Sequence, residues 1–190
     1  MHYPPLWQIE LIPWDVFIIV WLFGVLRLKR TKATEPDSSR LYTSLVLGCA
    51  GFLLFEQAWH LGVLGMRVLP QRSAVGWAGV VLTFLGAAIA IWARIIIGSN
   101  WSSRVTLKVD HQLIRSGPYK YVRHPIYTGM ILALLGTAVV VGELRGALAI
   151  VLAVIAFSLK AQREEKFMQS EFGETYRQYQ GQTGFLVPRC

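Results

Sequence analysis

Residues 75–97 read VGWAGVVLTFLGAAIAIWARIII, and Arg94 is the one charged residue in this stretch. A helix that crosses a bilayer needs about 20 mostly apolar residues, so the stretch predicts a transmembrane helix. Four further apolar stretches accompany it, at about residues 9–26, 41–64, 126–141 and 146–159, and the last two are shorter. The sequence therefore predicts an all-α integral membrane protein with about five transmembrane helices.

The two shorter stretches are separated only by Gly142-Glu143-Leu144-Arg145-Gly146. Glycines at both ends of so short a polar segment are typical of a tight turn, which predicts a helical hairpin. The first stretch has no basic residue before it and four basic residues shortly after it, at positions 27, 29, 30 and 32. This pattern favours a retained span over a cleaved signal peptide.

Composition narrows the class of protein. Of the 190 residues 54% are apolar and only 16% are charged, against about 25% charged in soluble domains. Intrinsic disorder is excluded by this apolar content, and a secreted disulfide scaffold by a count of two cysteines. The net charge of +8 is typical either of nucleic-acid binding or of membrane topology signals, and the distribution of the charges separates the two.

The basic residues fall mainly on one side of the predicted spans. The loop after the first span has five, the segment 94–123 has six and the C-terminal tail has five, which makes 16. The opposite side has three, at positions 67, 72 and 145. Because basic loops stay in the cytoplasm, we expect an external N-terminus and a cytoplasmic C-terminus. The charge is thus explained without a nucleic-acid partner.

The densest cluster of polar and aromatic residues is the segment 116–129, SGPYKYVRHPIYTG. Gly117-Pro118 favours a turn, and Pro125 is typical of the first turn of a helix, so a helix is expected to begin near His124 or Pro125. The backbone N–H groups at such a helix start, or the nearby Arg123, suit a carboxylate ligand.

A second cluster, KAQREEKF at 160–167, follows the fifth apolar stretch. Lys160 and Glu164 are four residues apart and share a helix face. Adjacent helical residues point about 100° apart, so we expect at most one of Glu164 and Glu165 to face a given pocket.

A third cluster contains Phe172-Gly173 and ends in an apolar tail at residues 184–188. Gly173 predicts a helix end, and the tail is expected to pack against the helix bundle. Tyr176 and Tyr179 share a helix face. The four histidines are scattered along the sequence, and no zinc, P-loop or nucleophile-elbow spacing occurs, so no metal site is predicted.

In this order and spacing, the clusters resemble the isoprenylcysteine carboxyl methyltransferase family, small membrane enzymes that use S-adenosylmethionine and are related to the phospholipid N-methyltransferases. The resemblance covers about residues 98–188. It is carried by GSNWS at 98–102, HQLI at 111–114, GPY at 117–119, RHPIYTG at 123–129, the glutamate pair at 164–165, and FGETYRQY at 172–179.

The resemblance implies a cofactor pocket at the cytoplasmic ends of the last helices. The residues that would bind S-adenosylmethionine are His111, Gln112, Leu113, Ile114, Tyr119, His124, Pro125, Ile126, Tyr127 and Glu164. The residues that would act at the acceptor are Lys160, Arg163 and Glu164, with Lys160 at a position where the family has arginine. On this interpretation residues 1–97 form three N-terminal spans and 98–190 the catalytic region.

The implied reaction is methyl transfer to a lipophilic or lipidated acceptor taken from the membrane lipids, with a prenylcysteine-like carboxylate as the family's acceptor. A phospholipid or other amine is an alternative acceptor. Two other functions stay open: an NADPH-dependent membrane reductase of the sterol type, and a non-catalytic transport or assembly protein. Glu56 and His60 within the second span would support the last of these.

Overall fold

A computed structural model of the chain describes residues 4–25, 31–34, 37–55, 62–98, 101, 106–108 and 113–189. Within these ranges the helices are α1 (Pro4–Val25), α2 (Asp37–Phe55), α3 (Ser73–Ile97), α4 (Pro125–Val141), α5 (Leu144–Phe172) and α6 (Glu174–Gln182). Two short 3₁₀ helices lie at Gly62–Gly65 and Gly117–Lys120. The predicted helical architecture is observed. Glu56, His60, His111 and Gln112 lie outside the described residues.

The sequence analysis did not predict a small antiparallel ladder that joins two of the connecting segments. Strand β1 (Thr31–Thr34) pairs with β2 (Thr106–Lys108), with Thr34 opposite Thr106 and an irregularity between Thr31 and Ala33. Strands of three and four residues are too short for an alternating pattern to reveal them.

Membrane-spanning character is clearest in two of the helices. Among the described residues, Ser73–Ile97 and Leu144–Phe172 are long and apolar enough to cross a membrane. The segments Leu41–Phe55 and Pro125–Val141 are apolar but shorter. Large apolar side chains lie exposed on several helices, among them Leu22, Leu45 and Ile95. Such a surface fits a helical membrane protein.

Glycines bring α3 and α4 into close contact. A Cβ atom added to Gly129 would lie 2.6 Å from the backbone nitrogen of Ala90 and from the carbonyl oxygen of Gly86. A Cβ atom on Gly79 would lie 2.7 Å from the carbonyl oxygen of Gly136. The two backbones therefore approach as closely as they do because these positions have no side chain.

A buried polar cluster connects α1 to α4. Glu10 is only 5% exposed, and its carboxylate accepts a hydrogen bond from Thr137. Trp14 donates from Nε1 to Thr137 Oγ1 at 3.1 Å. Since a buried carboxylate without donors is costly, these contacts fix the position of α1 on α4.

The predicted hairpin between α4 and α5 is present. Gly142 adopts a left-handed conformation (φ 66°), and its N–H donates to the carbonyl of Ala138 at 2.8 Å. Arg145 donates from Nε to Glu143 at 2.6 Å and from Nη1 to the carbonyl of Leu53 at 3.0 Å. The first turn of α5 is thereby joined to the end of α2.

The polar half of α5 and the C-terminal tail lie at the N-terminal end of α4. Helix α5 continues without a break past residue 159, where its apolar part ends, and stops before Gly173 as predicted. The tail packs back as expected, because the N–H of Arg123 donates to Gly184 (2.9 Å) and that of His124 to Phe185 (3.3 Å). This arrangement collects the chemically active side chains in one place.

Candidate active site

The segment before α4 is folded as a compact 3₁₀ turn. Gly117 has φ +58°, a conformation that other residues rarely adopt, and the turn that follows buries Pro118 and Tyr119. Val122 then pairs with Gly184 in the tail, and α4 begins at Pro125 as predicted. The turn and the tail together position His124 and Tyr127.

The shortest link across the site joins Tyr127 to Glu164. The Tyr127 hydroxyl donates to Oε1 of Glu164, although 37 residues separate the two in sequence. The Tyr127 ring stacks on Phe157 with ring centroids 5.1 Å apart, and nearly parallel to His124 at 5.7 Å. A carboxylate at the edge of a flat aromatic surface can stabilise a cationic group.

His124 lies between the two adjacent glutamates. Its Nδ1 is 3.4 Å from Oε2 of Glu164, and its Nε2 is 3.3 Å from Oε1 of Glu165. We expected at most one of the two carboxylates to face a given pocket, and both contact this one side chain. The two side chains diverge on α5, but the two nitrogens lie on opposite sides of one imidazole ring and reach both carboxylates.

The glutamates favour the protonated form of His124. Burial lowers the pKa of His124, but hydrogen bonds and charge interactions with Glu164 and Glu165 outweigh burial and raise the pKa above its ordinary value of 6.5. A protonated imidazole donates to both carboxylates at once. The site thus contains two carboxylates joined by one cation.

Arg123 completes the network on the side of the tail. Its Nε donates to Oε1 of Glu165 at 2.5 Å, and its Nη1 donates to the carbonyls of Thr183 (2.5 Å) and Gln180 (3.2 Å). The side-chain amide of Gln180 donates to the other oxygen of Glu165 at 2.9 Å. Arg123, expected as a partner for a ligand carboxylate, pairs instead with the carboxylate of Glu165.

A buried tyrosine of α6 holds the 3₁₀ turn by a hydrogen bond. Tyr179 of α6 donates from its hydroxyl to the carbonyl of Tyr119 at 2.6 Å. Burial raises the pKa of Tyr179 to about 12, even though Arg123 and Arg115 lower it. Tyr179 therefore stays neutral and donates this hydrogen bond at all physiological pH values. Tyr176, the predicted neighbour of Tyr179 on the same face, is also buried.

The predicted acceptor-side residues lie on different faces of α5. Lys160 Nζ lies 5.7 Å from the centroid of the Tyr127 ring, next to the glutamate network. Arg163 instead donates from Nη2 to Thr43 Oγ1 of α2 at 3.1 Å. Lys160 and Glu164 are thus brought together, and Arg163 connects α5 to α2.

Most predicted cofactor residues that the structure describes meet here. The buried members of this group are Tyr119, His124, Pro125, Ile126 and Tyr127, and of these His124 and Tyr127 contact the glutamates of α5. Leu113 is half-buried, and Ile114 packs on the hydrophobic core. The partnership of Arg123 with Glu165 was missed. The one sequence signal for this pair is that Arg123 and Glu165 are charged residues, each adjacent to a predicted site residue.

Comparisons with known proteins agree with this geometry. A model of the isoprenylcysteine carboxyl methyltransferase (ICMT) family matches residues 79–170. The protein-S-isoprenylcysteine O-methyltransferase of Schizosaccharomyces pombe is 33% identical over an alignment of 185 positions, which covers 93% of this chain and 72% of the yeast protein. The chain belongs to the ICMT family. Its predicted class, a methyltransferase, is confirmed by the enzymes with which it is grouped.

Other relatives of this chain differ in the acceptor they are named for. A methanethiol S-methyltransferase of Pseudomonas sp. (strain GM41(2012)) is 32% identical over 176 residues, covering 89% of this chain and 64% of that protein. A probable protein-S-isoprenylcysteine O-methyltransferase of Oryza sativa subsp. indica is 30% identical over 114 residues, and the match spans only 60% of its length.

A solved structure supports the ICMT fold. The eukaryotic intramembrane Ras methyltransferase ICMT superposes with a TM-score of 0.57 at 20% sequence identity. The superposition covers 95% of this chain and 67% of that one. At this level of identity the likeness establishes the fold, and the acceptor is a separate question.

Proposed function

We propose that this protein transfers a methyl group from S-adenosylmethionine to a lipophilic acceptor at the membrane interface, with carboxylate O-methylation of a prenylcysteine-like molecule as the leading reaction. The observation that carries the proposal is the hydrogen bond from Tyr127 to Glu164 beside the Lys160 side chain. It places an anionic, aromatic surface next to a cation at the end of a membrane helix.

The residues of the site fit the sulfonium cofactor. Bound S-adenosylmethionine supplies an electrophilic methyl group on a positively charged sulfur. Glu164 and the ring of Tyr127 would stabilise the positive end of that cofactor, with His124, Pro125 and Ile126 beside them. Tyr119, His111, Gln112, Leu113 and Ile114 would complete the pocket on the adenosine side.

A carboxylate acceptor needs no general base, because it is already ionised at neutral pH. The protein then accelerates the reaction by orienting the acceptor and excluding water, and no proton has to be transferred. The site supplies a cation for the acceptor in Lys160, while the carboxylates are engaged with Tyr127, His124 and Arg123.

A thiol is a second candidate acceptor, favoured by the 32% identity to a methanethiol S-methyltransferase over most of this chain. Thiols and amines must each lose a proton before they accept a methyl group. The carboxylates of Glu164 and Glu165 are the groups in the site that could receive it.

The proposed topology has five spans, with the N-terminus outside and the C-terminus in the cytoplasm. The distribution of 16 basic residues against three supports it. In this arrangement residues 1–97 contribute three spans that contact membrane lipids and the acceptor. Residues 98–190 form the catalytic region, which faces the cytoplasmic supply of the cofactor.

The test is methyl transfer from radiolabelled S-adenosylmethionine by the purified protein in lipid. An S-farnesyl cysteine derivative, an alkyl thiol and a phospholipid amine are compared as acceptors. We expect label in the carboxylate acceptor as a base-labile ester, and loss of transfer in Glu164→Gln. Glu174→Gln is the matched control, because Glu174 is exposed on α6 and pairs only loosely with Arg177 (3.6 Å). Absence of cofactor binding in calorimetry, together with no labelled product, would reject the proposal.

A further inference from the structure

Arg94 is a buried cation that the network around Glu164 does not use. It lies in the last turn of α3 and is only 4% exposed. Its Cζ atom lies 4.4 Å from the centroid of the Trp101 ring and 5.7 Å from that of Trp21. A Cβ atom on Gly24 of α1 would come within 2.8 Å of the same Cζ, so the guanidinium is enclosed by α1 and Trp101.

The guanidinium has two nitrogens without a hydrogen-bond partner. Its Nη1 donates to the carbonyl of Gly98 at 2.8 Å. Over the part of the chain that the structure describes, Nε and Nη2 are buried and donate to nothing. These two atoms form one edge of the planar group, the edge that binds both oxygens of a carboxylate in parallel.

Two other arginines of the protein use this edge for a carboxylate. Arg123 donates from Nε to Glu165 at 2.5 Å, and Arg145 donates from Nε to Glu143 at 2.6 Å. The aromatic rings beside Arg94 offset part of the cost of burying its charge, but a ring face leaves the N–H donors in the guanidinium plane without acceptors. The Nε–Nη2 edge is therefore buried without the acceptors that a carboxylate would supply.

Tyr119 connects Arg94 to the candidate active site. The Tyr119 hydroxyl donates to the carbonyl of Ala93, the residue before Arg94, at 3.4 Å. Burial raises the pKa of Tyr119, the charge of Glu164 raises it further, and the charge of Arg94 lowers it. The charges of Glu164 and Arg94 thus have opposite effects on the pKa of the same tyrosine.

We propose that the Nε–Nη2 edge of Arg94 binds the carboxylate of the methyl acceptor. This inference rests on the proposed function and names the residue that would select an acidic acceptor over a neutral one. The tryptophan rings around Arg94 favour the acceptor over the cofactor as the source of the carboxylate. They form an apolar surface that suits a lipophilic molecule.

The test compares binding of an S-farnesyl thioether carboxylic acid with binding of its neutral carboxamide, without cofactor, to the full-length protein in lipid. We expect the wild type to bind the acid roughly 10- to 100-fold more tightly than the amide, as for other charge-assisted hydrogen bonds. Arg94→Met, which keeps the stem against the tryptophans, is expected to abolish the preference, and Arg94→Lys to keep part of it. Arg72→Met, at the exposed start of the same helix, is the control.

Three results would overturn the assignment. The first is equal binding of the acid and the amide by the wild type. This measurement needs no variant, so it is decisive even if the variants do not fold. The second is an unchanged preference in a folded Arg94→Met protein. The third is a variant that binds S-adenosylmethionine weakly but 5′-methylthioadenosine normally, because the carboxylate would then be the cofactor's. Loss of the preference in a protein that transfers no methyl group would support Arg94 and reject the proposed function.

Discussion

The guanidinium of Arg123 donates from Nε to Oε1 of Glu165 at 2.5 Å, and this contact joins the loop before α4 to α5. The same arginine donates from Nη1 to the carbonyl of Thr183, so the C-terminal tail is held by the residue that holds the glutamate. The integrity of the site therefore depends on one planar side chain.

Replacing Arg123 with lysine should loosen the tail. Lysine retains the charge but cannot donate in two directions from a planar group, so one or more of the three hydrogen bonds is lost. We expect local opening to become easier by about 1–3 kcal/mol, because each such bond involves a charged group. Hydrogen exchange of the amides at residues 183–187 measures this, and Arg177→Lys on the exposed face of α6 should leave their exchange rates unchanged.

Replacing Tyr127 with phenylalanine should weaken cofactor binding while preserving the stack on Phe157. The substitution removes only the hydroxyl that donates to Glu164, a hydrogen bond to a charged group. We expect Kd for S-adenosylmethionine to rise about 10- to 100-fold in calorimetry. Tyr121→Phe is the control, because Tyr121 lies in the same segment and is 58% exposed. Equal affinities in the two variants would remove Tyr127 from the cofactor site.

The stability of the protein should depend on the protonation of His124. Because its pKa is raised in the folded state, the stabilisation is fully present below the unfolded value of 6.5 and is lost as pH rises through the folded value. Thermal unfolding from pH 6 to pH 9 should therefore show a decline in Tm that is smaller in His124→Gln. A decline of the same size in both proteins would contradict the assigned charge state.

Substitution by alanine should affect stability differently at Gly129, where α3 and α4 are closely packed, and at Gly48 in α2. Gly129→Ala should destabilise the protein by about 1–3 kcal/mol, since the new Cβ would lie 2.6 Å from the backbone of α3. Gly48→Ala in α2 has nothing within 4 Å of its Cβ and should be neutral or stabilising by up to about 1 kcal/mol. Chemical or thermal unfolding in the same lipid or detergent provides the comparison.

Local signals in the sequence predicted the helix boundaries around the site. Pro125 fits the first turn of α4 because it needs no N–H partner there. Gly142 and Gly173, which end α4 and α5, have φ of 66° and 50°, a conformation suited to glycine. These features depend on a few neighbouring residues, and a sequence pattern is sufficient to find them.

The contacts that assemble the site could not be predicted in this way. His124 reaches Glu164 and Glu165 across about 40 residues, and helical geometry alone suggested that only one glutamate would face a given pocket. The free edge of Arg94 is equally invisible in the sequence, where it is a single charge in an apolar run. Such features depend on how helices distant in sequence pack, which no local pattern encodes.

The unbroken course of α5 has a consequence for the choice of acceptor. A helix rises about 1.5 Å per residue, so the Cα atom of Glu164 lies about 7.5 Å along the axis beyond that of residue 159, where the apolar part ends. Because no hinge interrupts the helix, the distance between the end of the apolar part and Glu164 is fixed. A methyl acceptor dissolved in the bilayer would therefore need to hold its reactive group at the same depth as Glu164. The enzyme would then select acceptors by the distance between their apolar group and their reactive atom, in addition to the chemistry of that atom.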